Sequence, residues 1–220
     1  MIMRVIAIDT SGRNGSVALC SGDASNFGVL GMTAVEGGTY SARLMPCIAD
    51  LLRDAKLDKS QIDGFVVVDG PGSFTGLRVG LSTVKGLCEV LRKPLATVSM
   101  LEALAITHAS DGETVAAVVD AGRGEIYVGG YKISGNRAEL KDQSIVKLAA
   151  FLERLPLLEA RAITTFSKVP GASLVAPLQA DAIARIGMAK LLAGETADAA
   201  LLDANYIRRS DAELFSLPKQ

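Results

Sequence analysis

The sequence predicts an α/β protein of two related lobes, and three observations carry that prediction. An apolar strand that ends on an acid and doubles back through a glycine-bearing turn occurs at 5–20 and again at 115–131. A glycine-rich turn, Gly70 to Gly80, joins an apolar strand to a helical pattern. Strand and helix periodicities alternate along the rest of the first half. Recurrence of one pattern points to a duplicated unit. Hairpins of this form are also common singly, so spacing alone leaves both readings open.

The elements follow in chain order. Arg4 to Asp9 reads as a buried strand, and Asn14-Gly15 as the hairpin turn to a returning strand at Ser16 to Cys20, because both central residues of such a turn take positive φ. Residues 40–57 read as a helix with Leu44, Ile48, Leu51 and Ala55 on one stripe; Pro46 is expected to kink it or mark its first turn. Ile62 to Val68 reads as a strand, Leu77 to Leu91 as a helix stopped by Lys93-Pro94, and Leu95 to Val98 as a short strand. Residues 100–108 read as helix, Val115 to Val119 as a strand ending on Asp120, and Glu125 to Gly129 as its return. From 140 to 215 the pattern reads as mainly helix with short apolar segments such as Arg161 to Thr165.

Composition narrows the class. A chain of 220 residues suits one large domain or two small lobes. Hydrophobic residues make up 49% and aromatics only 5%, with no tryptophan, so the core is aliphatic. The net charge of -1 is too weak to hold a polyanion unaided, and Arg208-Arg209 is the one local basic cluster. Three cysteines in no C-x-x-C pair favour a reducing compartment, hence a cytoplasmic location. The start lacks a signal-peptide pattern, and no apolar run approaches the ~18 residues that span a bilayer, so no membrane is expected.

The chemistry legible in the residues is sparse. Asp9, followed by Thr10 and Ser11, could hold a metal-bound water while the turn amides receive a phosphate, with Asp120 opposite; equally, each Asp could only cap its own turn. The Gly70 to Gly80 segment lacks G-x-x-x-x-G-K-[ST], and Gly70, Gly72 and Gly76 give G-x-G-x-x-x-G, one residue off the dinucleotide fingerprint. Gly76 and Gly80 instead stack on one helix face and suit close packing. Ser73 and Thr75 are N-cap candidates. The lone His108 has no second histidine to complete a dyad or metal pair.

Ile8-Asp9-Thr10-Ser11, the string Gly70-Pro71-Gly72-Ser73-Phe74-Thr75-Gly76-Leu77-Arg78-Val79-Gly80, Ser99 to Leu104, Asp120 to Tyr127, and Tyr206-Ile207-Arg208-Arg209 together resemble the bacterial TsaB (YeaZ) family over nearly the whole chain. That resemblance implies an actin-like (ASKHA) two-lobed α/β fold of two ribonuclease-H-like halves, the second smaller, divided at 1–100 and 101–220. It implies a non-catalytic scaffold subunit serving threonylcarbamoylation of the adenosine beside the anticodon in transfer RNA. The implied partners are a TsaD-like catalytic paralogue and a TsaE-like ATPase, with a homodimer when alone and transfer RNA met only through the complex. No cofactor of its own is implied; ATP at the interface with the partners stays open. Asp9, Thr10, Ser11 and Asp120 would be a vestigial nucleotide site. The helices 40–56 and 76–91 would meet the partner through Ser41, Met45, Ala49, Leu52, Gly76, Gly80, Thr83 and Leu87. The paralogue's H-x-x-x-H metal ligands fall here on Met100 and Leu104, which argues against an M22-type peptidase. The alternative is an independent nucleotide-dependent hydrolase or such a peptidase. Tyr40 stands where many members carry His.

Overall fold

The computed structural model describes residues 2–157 and 160–202, so the Tyr206 to Arg209 match lies outside the described residues. The first lobe opens with an antiparallel meander of β1 (Met3–Asp9), β2 (Asn14–Gly22) and β3 (Phe27–Glu36). Helix α1 (Tyr40–Asp54) leads to β4 (Gly64–Gly70), which runs parallel to β1; α2 (Phe74–Leu91) leads to β5 (Leu95–Ser99), parallel to β4. The sheet order is β3-β2-β1-β4-β5. After α3 (Met100–His108) the plan repeats. The elements are β6 (Thr114–Gly122), β7 (Glu125–Ser134), β8 (Arg137–Lys147), α4 (Leu148–Arg154), β9 (Arg161–Thr164), β10 (Ser173–Leu174) and α5 (Ala180–Leu192), in the order β8-β7-β6-β9-β10. Two sheets with one strand order, each a three-stranded meander continued by parallel strands, establish the two-lobed actin-like fold.

β1 and β4 are apolar on both faces because both faces are covered. Ile6 and Phe65 face α1 and α2, while Val66 on the opposite face meets α5. A Cβ on Gly187 of α5 would lie 2.1 Å from Val66 Cγ1, so the α5 backbone rests directly on the first sheet. The helices are thus exchanged: α5 packs on β1, β2, β4 and β5, and α3 packs on β6, β7, β8 and β9. The expected division at residue 100 needs correction on this point, since residues 180–192 complete the first lobe's core. One apolar cluster runs through both lobes, with a satellite around Val118, Ile126 and Phe151 beside α4.

Several expectations are revised. Asn14 and Gly15 lie within β2, and the turn is made by the residues before them. Gly15 serves close approach: a Cβ there would sit 2.4 Å from Asp9 O and 2.9 Å from the Tyr40 ring. Helix α1 continues unbroken through Pro46. β3 is a strand the sequence pattern did not signal, and β8 occupies the start of the supposed helical tail. Ser73 does cap α2, accepting from Gly76 N–H at 3.3 Å.

A polar seam crosses the lobe junction. Lys190 of α5 donates to Glu102 of α3 at 2.7 Å and to the Thr97 carbonyl at 3.2 Å. Beside them Asp69, near the end of β4, has Oδ1 without a partner among the described residues. Burial raises its pKa to about 6, against the Thr97 hydroxyl and Lys190, which pull it down. The folded chain therefore holds this proton more tightly than the unfolded chain, whose value is 3.8. Stability contributed here is greatest at low pH, falls as pH rises from about 4 to 6, and is flat above. The ionised carboxylate costs about 3 kcal/mol at neutral pH. Asp69→Asn is expected to raise stability at pH 7.5 by up to that amount and to change little at pH 4, read from urea midpoints at the two pH values.

Candidate partner interface

The Asp9 turn is closed. Asp9, Thr10 and Ser11 are each no more than 2% exposed. Asp9 Oδ1 accepts from Ser11 N–H at 2.8 Å and from the Ser11 hydroxyl at 2.6 Å, while burial pushes its pKa up. The glycine-rich segment forms the covering layer. Ser73 N–H donates to Ser11 O at 2.6 Å, and a Cβ on Gly72 would strike Ser11 at 2.5 Å. A Cβ on Gly76 would lie 2.0 Å from Thr10 O, and one on Gly80 2.4 Å from Thr10 Oγ1. Tyr40 completes the enclosure: its hydroxyl donates to Gly12 O at 3.0 Å, and burial, with Asp9 nearby, raises its pKa to about 12. In the second lobe Gly122 N–H donates to Asp120 Oδ1 at 2.8 Å, the counterpart of the Ser11 to Asp9 bond, but Asp120 is exposed. The two Asp turns share a hydrogen-bond plan and differ in access.

Gly76 and Gly80 therefore admit the chain's own β1–β2 turn to helix α2. Their expected place on the partner surface is corrected: both are buried, and their open side is filled by Thr10. The other expected contacts divide. Met45, Ala49, Leu52, Thr83 and Leu87 line one groove of about 560 Å³ between α1 and α2, floored by Ile6 and Phe65. Ser41 lies apart, in a polar hollow of about 430 Å³ with Arg13, Glu36 and Thr75. The groove also includes Val90, which continues the Gly76, Gly80, Thr83, Leu87 stripe of the sequence, and Gly86, which the sequence reading passed over. Val90 is 75% exposed, and a Cβ on Gly86 would meet nothing within 4 Å. The signal for Gly86 was the spacing Ser82, Gly86, Val90, which is one helical face.

Sites for other chemistry are poorly provided. Met100 and Leu104 are fully buried core side chains. Among the described residues no three His, Cys, Asp or Glu side chains gather as a metal site, and no helix is long and apolar enough to cross a membrane. His108 ends α3 with its pKa lowered by burial.

The duplicated sheets, the exchanged helices and the two Asp turns define a member of the actin-like class of two-lobed α/β proteins. Comparisons narrow the class. The family model described as TsaD, tRNA N6-adenosine threonylcarbamoyltransferase, matches residues 35–200. The tRNA threonylcarbamoyladenosine biosynthesis protein TsaB of Bacillus subtilis is 33% identical over 155 residues, covering 70% of this chain and 66% of that protein. Its Escherichia coli namesake is 32% identical over 136 residues, covering 61% and 57%. A Pseudomonas aeruginosa crystal structure, described as an uncharacterized protein similar to peptidase YeaZ, superposes with a TM-score of 0.76 at 26% identity, covering 94% of this chain and all of that one. The chain belongs to the TsaD family in the sense of that model, on its TsaB/YeaZ branch. The sequence match spans less than two thirds of the length of either named relative.

Proposed function

We propose that this chain is a cytoplasmic scaffold subunit for threonylcarbamoylation of the adenosine next to the anticodon in transfer RNA. In this reading it has no catalytic residue of its own. It dimerises with a TsaD-like catalytic paralogue through the α1–α2 groove, the pair recruits a TsaE-like ATPase, and transfer RNA is met only by the assembly. Alone, the same groove pairs two copies. The observation that carries the reading is the groove itself, an apolar channel between two neighbouring helices with exposed Met45 and Val90 on its rims. Surfaces of that kind mark association sites. Two further observations support it. Asp9 is enclosed by its own chain, and the positions matching the paralogue's imidazole ligands carry buried Met100 and Leu104. ATP, where it acts, then belongs to the partners or to the interface.

The test is reconstitution. The purified chain is expected to co-elute with its TsaD-like paralogue, and transfer RNA modification is expected only when both are present with the ATPase. Turnover of ATP by the chain alone, abolished by Asp9→Asn, would overturn the scaffold assignment.

A further inference from the structure

Just after β9 the chain crosses onto the first lobe at a point the proposed function does not use. Ser167 N–H donates to Thr165 O at 2.8 Å, and Phe166 between them has φ of 66°. A hydrogen bond from i+2 to i around a residue of positive φ is the strained form of the γ-turn, rare in proteins. Phenylalanine has no conformational reason to be there; only glycine and small polar residues visit that region readily. Strain of this kind persists only where neighbouring structure holds it.

What holds it is Gly12. A Cβ on Gly12 would lie 2.8 Å from Phe166 Cε1, so the ring rests on the glycine backbone with no room between. Gly12 belongs to the turn that encloses Asp9, and its carbonyl accepts the Tyr40 hydroxyl. The anchors on either side of the ring are firm. Thr165 is fully buried and Val169 is 3% exposed, while Phe166 itself keeps 38% of its surface open. The hydroxyls of Thr10 and Thr165, one from each lobe, are both buried without a partner among the described residues. The ring closes the Gly12 side of the turn that carries Thr10, whose hydroxyl faces Gly80, and the two buried hydroxyls are groups that water would satisfy.

We propose that Phe166 is a latch by which the second lobe clamps the Asp9 turn of the first, and that its release admits water to Thr10 and Asp9. The contact joins segments more than 150 residues apart, so it sets how tightly the lobes close without touching the α1–α2 groove. It depends on neither the partner nor the proposed function.

The test is amide hydrogen exchange on the full chain, resolved by NMR. Phe166→Gly removes the ring and the φ penalty together, so loss of the latch is not confounded by backbone strain. Gly12→Ala pushes from the other side, with its new Cβ where the ring now lies. Each is expected to speed exchange of the Thr10 to Asn14 amides at least tenfold, while the β4 amides change less than threefold. The Asp9 carboxyl titration is expected to move down toward the ordinary carboxylate range in both. Unchanged protection of the turn in both variants overturns the latch. So does a uniform acceleration across β1, β4 and the turn, which would make Phe166 an ordinary packing residue.

Discussion

Val90→Asp is expected to leave the chain folded and weaken its association with the catalytic paralogue at least 100-fold. Val90 is 75% exposed in the isolated chain, so its replacement removes little burial, and surface changes of this sort usually stay within about 0.5 kcal/mol. The bound state is different. The groove beside Val90 is mainly apolar, with Met45, Ala49, Leu52 and Leu87 in its lining and Lys59, Ser82 and Thr83 as its polar members, so a partner that covers it strips most of the hydration from a carboxylate at position 90. Desolvating a charge there without a partner costs several kcal/mol, and each 1.4 kcal/mol is tenfold in Kd. Met45→Asp on the facing helix is expected to act alike, since Met45 is 50% exposed. Leu174→Asp is the control, with an exposure of 58% that lies between those of Met45 and Val90 but on β10 of the second lobe, and it should bind normally. Calorimetric titration with melting curves of each variant separates the cases. Binding by Val90→Asp within threefold of the parent would place the interface elsewhere.

The sequence made the first lobe legible because its strands are buried on both faces and read as unbroken apolar runs: Val5 to Ile8 and Phe65 to Val68 are all at most 2% exposed. It failed at β3 and β8, which are the outer strands of their meanders. β3 carries Gly28 and Gly31 and shifts register opposite Leu19 and Cys20, which spoils its alternation. β8 is polar and largely exposed, so its order comes from pairing with β7 rather than from its own composition. The repeat was visible in the two Asp turns, but the exchange of α3 and α5 between the sheets was not, since each helix is apolar whichever sheet it covers. The candidate site was half visible. The family resemblance placed Met45, Ala49, Leu52, Thr83 and Leu87 at a partner surface, and i, i+4 spacing sets Met45 with Ala49 and Thr83 with Leu87 on single helix faces. Resemblance and spacing together misplaced Gly76 and Gly80, since spacing shows that a backbone can be approached and not by what.

The glycines of α2 supply a contrast in sign between identical substitutions. Gly76→Ala is expected to destabilise the chain by at least about 3 kcal/mol, with a fall in Tm of roughly 6–12 °C. The new Cβ would stand 2.0 Å from Thr10 O, a backbone atom of a residue that is 0% exposed and directly follows β1, so neither side can withdraw. Gly86→Ala, ten residues along the same helix, meets open space. Glycine inside a helix costs about 1 kcal/mol relative to alanine, so this change is expected to raise Tm by about 2–4 °C. Nothing among the described residues offsets that cost at Gly86. In the proposed assembly the offset is close approach of a partner helix over the groove, which a side chain would hold away. Gly86→Leu is therefore expected to fold at least as well as the parent and to lose paralogue binding by tenfold or more. If Gly86→Leu binds normally, the helices do not cross at this point, and the groove is filled from its Val90 end alone.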